Sequence, residues 1–75
     1  MKRKFNAKKV SKAIGLTIRH IRESKGMTLE SCEERGYSDW THLQKVESGK
    51  NITIQTLVNI ANLFGVHPAD LLKDI

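Results

Sequence analysis

Residues 28–49, TLESCEERGYSDWTHLQKVESG, decide how this chain folds. They read as two short helices joined by a tight corner. Thr28 suits an N-cap, its hydroxyl taking an orphan amide two or three residues on. Leu29 to Arg35 then spans about two helical turns, with Leu29 and Cys32 on one side and Glu30, Glu33 and Glu34 on the other. Gly36 stands where a helix end wants a residue that tolerates positive φ. Ser38 or Asp39 is expected to cap the next helix, which runs to Ser48 and stops at Gly49.

In that second helix Leu43 and Val46 are three apart and share a face. Thr41, Gln44, Lys45 and Ser48 point the opposite way. No carboxylate stands among these four; they offer hydroxyls, an amide and a cation. An amide side chain pairs bidentately with adenine, a lysine reaches guanine or phosphate, and hydroxyls suit either. Two short helices with such an outer face are what a major-groove reader requires. The competing reading is a solvated polar face on a small bundle.

Working outward, 75 residues make one domain with a modest core. No stretch approaches the roughly 18 apolar residues of a membrane span, and no apolar segment follows the basic N-terminus as a secretory signal would require. A single cysteine builds no internal disulfide framework, which fits a reducing, cytoplasmic setting. Charge is unevenly placed. Residues 1–25 hold nine Lys/Arg and one acid, whereas residues 26–75 hold four Lys/Arg and seven acids. A positive N-terminal third points to a polyanion, nucleic acid first, against the alternative of a solubilising tail.

Residues 1–6, MKRKFN, read as a flexible basic arm in which Lys2, Arg3 and Lys4 are placed to follow phosphates or enter a minor groove. Residues 7–75 form the expected domain. Val10, Ile14, Ile18 and Ile21 recur at four, four and three, marking an apolar stripe on a helix from Ala7 to Lys25. Gly26 ends it. Lys50 and Asn51 form a short loop suited to a phosphate. Thr53 caps a fourth helix, Ile54 to Phe64, closed by Gly65, with Leu57, Ile60, Ala61 and Phe64 facing inward. Pro68 suits the first position of a fifth helix, with Asp70 in its first turn. The expectation is an all-α, compact five-helix bundle. Leu63, Val66, Leu71, Leu72 and Ile75 form an apolar surplus that either seals the core or makes a dimer interface. Two-fold dimerisation sets two reading helices about one DNA turn, roughly 34 Å, apart.

From Ile14 to Leu72 the ordered segments IGLTIRHIRESKGMTLE, LQKVESGK, LVNIANLFGV and ADLL resemble the phage-repressor-like (Cro/repressor, XRE-type) helix-turn-helix family. The resemblance implies a lambda-repressor-like DNA-binding domain with its helix-turn-helix at helices 2 and 3. It also implies a sequence-specific transcriptional regulator, a repressor among the family's roles, binding double-stranded DNA as a homodimer. It matches Arg22 and Glu47 to the ion pair that ties the first helix to the recognition helix. Thr41, His42, Gln44 and Lys45 fall at base-reading positions. Thr28, Ser48, Lys50 and Asn51 fall at backbone positions, which orient without reading sequence. Three departures stand out. Leu29 replaces a common Gln, Glu33 replaces a small residue, and the loop after Gly49 is one residue short. Glu33 and Gly36–Tyr37 imply a corner built differently.

Other residues keep two readings. Trp40 either stacks on DNA or plugs the corner with Tyr37; His42 is a DNA contact or a solvated imidazole. Cys32 takes a core position, and its neighbours Glu33 and Glu34 supply the wrong sign for a reactive thiolate. Catalysis is not expected. His20, His42 and His67 fall on three different helices, and no metal spacing, phosphate loop or recognisable nucleophile is present. No cofactor, metal or small-molecule ligand is expected. The alternative from another class is an antitoxin-like module that uses the same fold to bind a partner protein.

Overall fold

The computed structural model describes residues 4–73 and Ile75. Four α-helices, α1 (Ala7–Ser24), α2 (Leu29–Glu34), α3 (Trp40–Glu47) and α4 (Ile54–Phe64), precede a 3₁₀ turn at Pro68–Leu72. The described residues include no strand, so the chain is all-helical. The expected fifth helix is the 3₁₀ turn. The Asp70 amide donates to the His67 carbonyl three residues back, at 2.8 Å. His67 Nδ1 accepts from the Ala69 amide and Asp70 Oδ2 from the His67 amide. That reciprocal capping closes a tighter spiral than an α-helix.

Side-chain caps set the helix starts. Asn6 Oδ1 takes the Lys8 and Lys9 amides at 2.9 and 3.2 Å, an end where Lys8 and Lys9 oppose the helix dipole and an acceptor is most needed. Thr28 and Thr53 cap α2 and α4 through the amides of Ser31 and Thr56. Asn6 is thus the cap of α1, and Met1, Lys2 and Arg3 of the expected arm lie outside the described residues.

α1 packs against α3, α4 and the 3₁₀ turn. Ile18, Leu43, Ile60 and Leu71 are fully buried, joined by Met27, Cys32, Tyr37, Val46, Leu57, Ala61 and Phe64. Ile14, Ile21, Leu29, Ile52, Leu63 and Val66 flank this core, half-buried. The C-terminal surplus therefore divides. Leu71 is 0% exposed, which removes it from the expected dimer surface, because it fills the space between the 3₁₀ turn, α1 and α4. Leu72 and Ile75 remain exposed.

One contact sets how α3 lies. A Cβ built on Gly15, in the middle of α1, would stand 2.5 Å from the Val46 carbonyl oxygen and 2.7 Å from that of Glu47. Only glycine lets the two backbones meet there.

Candidate nucleic-acid interface

The corner between α2 and α3 is built around Tyr37 and Glu33. Gly36, at φ +106°, reverses the chain after α2, and the Tyr37 amide returns to the Cys32 carbonyl at 3.1 Å. Tyr37 drops into the core at 8% exposure. Trp40 does not join it; it is half-buried and outside the core cluster. One aromatic ring fills the corner, and Trp40, first in α3, is left at the surface. Asp39, rather than Ser38, caps α3 by accepting from the Thr41 amide at 2.9 Å. Glu33 Oε2 accepts from the Trp40 amide at 3.0 Å. The Glu33 carboxylate thus closes one orphan amide of α3 from across the corner.

The inner side of α3 is held on two elements. Leu43 and Val46 are buried. Glu47 forms a fork with Arg22 of α1, Nε to Oε2 at 2.7 Å and Nη2 to Oε1 at 3.0 Å. Arg22 Nη1 also donates to the Met27 carbonyl at 2.8 Å. The bond to Glu47 outweighs burial and raises the arginine pKa above its ordinary value, so the cation is permanent.

The outer side differs. Gln44 and Lys45 are exposed, and among the described residues neither side chain has a hydrogen bond or ion pair. Thr41 is half-buried, and its hydroxyl donates to Asp39 Oδ1 at 2.6 Å. Hydrogen bonds from that hydroxyl and the Thr41 amide hold the Asp39 carboxyl below the ordinary carboxylate range. The Thr41 proton is therefore committed, leaving its oxygen as an acceptor. Ser48 at the end of α3 is exposed, its hydroxyl donating to the Gln44 carbonyl at 3.0 Å. Lys50 and Asn51 follow, exposed. At the other end, Thr28 is exposed with its oxygen taking the Ser31 amide. Lys4 is exposed ahead of α1; Lys2 and Arg3 lie outside the described residues.

His42 faces away from these groups. It lines an open groove of about 490 Å³ between the corner and α4, with Arg35, Ser38, Thr56 and Asn59. Its Nδ1 lies 2.8 Å from Tyr37 Oη.

Two basic residues gain significance from the structure. Lys12 packs on the turn after α3; a Cβ at Gly49 would lie 3.4 Å from its Cα. Arg19 borders a small depression with Gln44 and Ser48 while pairing loosely with Glu23 at 3.4 Å. Their place off the α1 apolar stripe was legible, but not that α3 passes beside them. Cys32 is a buried free thiol, its pKa raised by burial. No group of His, Cys, Asp or Glu among the described residues is arranged to hold a metal, and no described helix is long and apolar enough to cross a membrane.

A family model described as Helix-turn-helix matches residues 18–71, from the middle of α1 into the 3₁₀ turn. Comparison with curated proteins and with solved structures gives no match.

Proposed function

The chain belongs to the Cro/repressor-like, XRE-type helix-turn-helix family of DNA-binding regulators, and from that premise we propose that it reads double-stranded DNA sequence-specifically as a homodimer on a two-fold operator. In this reading α2 and α3 are the helix-turn-helix and α3 enters the major groove. The observation that carries it is the asymmetry of α3. Leu43, Val46 and Glu47 are tied into the protein, while Gln44 and Lys45 stand exposed on the other side. Gln44 supplies a bidentate amide, Lys45 a cation for guanine, and Thr41 an acceptor. Thr28, Ser48, Lys50 and Asn51 meet phosphates, and Lys2, Arg3 and Lys4 extend that contact as a basic arm. Leu63, Val66, Leu72 and Ile75 make the dimer surface, which two exposed and two half-buried apolar side chains at one end of the chain support.

Two substitutions separate reading from holding. Gln44→Ala is expected to cost about 1–3 kcal/mol on the preferred duplex and little on random DNA. Lys50→Ala is expected to weaken both alike and to flatten the salt dependence. Gel shifts on a selected and a scrambled duplex at two salt concentrations measure both effects. Equal losses for Gln44→Ala on the two duplexes would remove Gln44 from base reading.

A further inference from the structure

Along α1, Lys12, Gly15 and Arg19 mark the flank that runs beside the second half of α3. Lys12 lies against the turn at Gly49, Gly15 meets the Val46 and Glu47 carbonyls, and Arg19 shares a depression with Leu29, Gln44 and Ser48. Arg22 and Glu47 also line that depression, but their charges are spent on each other, and Arg22 Nη1 is held by the Met27 carbonyl. Leu29 adds an apolar wall and no side-chain donor. The cation left to answer a ligand there is Arg19. Its side chain is 58% exposed and pairs with Glu23 through Nε alone, at 3.4 Å. Among the described residues neither of its Nη atoms has a partner. A charge-assisted N–H···O bond normally closes to about 2.7–2.9 Å, as Arg22 does with Glu47 at 2.7 Å. The Arg19–Glu23 pair is long and single-pronged, and Glu23 is itself 55% exposed, so little holds the two together.

We propose that Arg19 binds a backbone phosphate of the duplex at this depression, and that Glu23 is the anion it releases to do so. The inference rests on the reading of this fold as a DNA-binding one and deepens it with a phosphate contact on α1 and a competitor for that contact. Gln44 borders the same depression, so a strand lying along the exposed side of α3 also meets the Arg19 guanidinium. A phosphate offers two oxygens to two parallel N–H groups, a fork that Glu23 does not form with Arg19. The exchange breaks one weak, exposed pair and makes a charge-assisted fork. Because phosphate repeats along every sequence, the contact strengthens binding without choosing among bases. Glu23 lowers affinity by competing for the guanidinium, over and above its general repulsion of the duplex.

The test is a double-variant cycle. Wild type, Arg19→Ala, Glu23→Gln and the double variant are titrated with a selected and a scrambled duplex at a series of salt concentrations, with melting curves alongside. Both side chains are exposed, so all three variants should melt close to wild type. Arg19→Ala should weaken binding about 3- to 10-fold on both duplexes and reduce the slope of log affinity against log salt by about 1. Glu23→Gln should tighten binding about 2- to 5-fold, and by clearly less on the Arg19→Ala background. Arg19→Ala binding both duplexes as tightly as wild type, with the same slope, would overturn the proposal. So would a loss confined to the selected duplex, which would make Arg19 a base reader. An equal gain from Glu23→Gln in both backgrounds would reduce Glu23 to plain charge repulsion and overturn the competition. If wild type binds no duplex, the DNA-binding reading falls and this inference with it. If wild type binds and Arg19→Ala changes nothing, this inference alone falls.

Discussion

Arg22→Ala is expected to remove about 3–5 kcal/mol of stability, the cost of stripping one partner from a buried ion pair. The Glu47 and Arg22 side chains are only 7% and 10% exposed, so the carboxylate left behind cannot recover its hydration. The Met27 carbonyl loses its donor as well. For a domain of this length, total stability is on the order of 4–11 kcal/mol. The loss therefore takes from about a quarter to all of that stability, and the denaturation midpoint should fall accordingly. Glu47→Ala should fall in the same range, since it strands the guanidinium instead. Arg22→Lys should rescue little, because an ammonium cannot reproduce the fork to both carboxylate oxygens. Replacing both residues by apolar ones of similar volume should cost far less than either single change. Chemical denaturation midpoints measure all four. Unchanged midpoints in both alanine variants would show that the pair contributes nothing to holding α3 on α1.

Gly15→Ala is the second large effect, expected to destabilise by about 1–3 kcal/mol. By intrinsic propensity the change should help, since alanine is favoured over glycine in a helix by about 0.5–1 kcal/mol. The surroundings reverse the sign. The added methyl would meet the Val46 and Glu47 carbonyl oxygens at 2.5 and 2.7 Å and the Glu47 carbonyl carbon at 2.9 Å. All three are backbone atoms, so no rotamer change relieves them, and α3 must move off α1. Because α3 carries Gln44 and Lys45, the same displacement should weaken DNA binding at temperatures where the variant remains folded. Thermal melts and gel shifts at a low temperature separate the two consequences. A variant more stable than wild type would show that the two backbones do not approach as closely as described.

Much of this was legible in the sequence because it depends on local chemistry. Thr28 and Thr53 start helices through their own hydroxyls a few residues away, and Leu43 and Val46 declare the buried side of α3 by spacing alone. What the sequence left open depends on neighbours distant along the chain. Glu33 capping Trp40 crosses the corner and has no signature at short range. Gly15 carried a signal, a glycine inside a helical pattern, but not which backbone would approach it. Residue type pairs Trp40 with Tyr37 in the corner as readily as it sets Trp40 on DNA, and it does not say that Tyr37 alone would enter the core. Leu71 looked like surplus until the 3₁₀ turn folded it under α1 and α4. His42 lies at the flank of the helical wheel, where a small rotation decides between the outer face and the groove beside α4. Its bond to Tyr37 comes with that rotation.

The Asp39–Thr41 bond refines the recognition surface further. In the proposed reading, with its hydroxyl proton donated to Asp39, Thr41 is expected to meet a base or a thymine methyl rather than to donate to a phosphate. The basic side chains flanking α3 come from three places: Lys12 on α1, Lys45 on α3 itself and Lys50 beyond its end. A salt-dependent, sequence-independent component of binding is expected from them.

The most direct measurement is selection of bound duplexes from a random DNA pool by the wild-type chain and by Gln44→Ala. The account predicts that wild type enriches a two-fold motif with half-sites about one helical turn apart. It also predicts that Gln44→Ala loses preference at one position of each half-site while still retaining DNA. Recovery of an unenriched pool by wild type, or of an identical motif by both proteins, would contradict it.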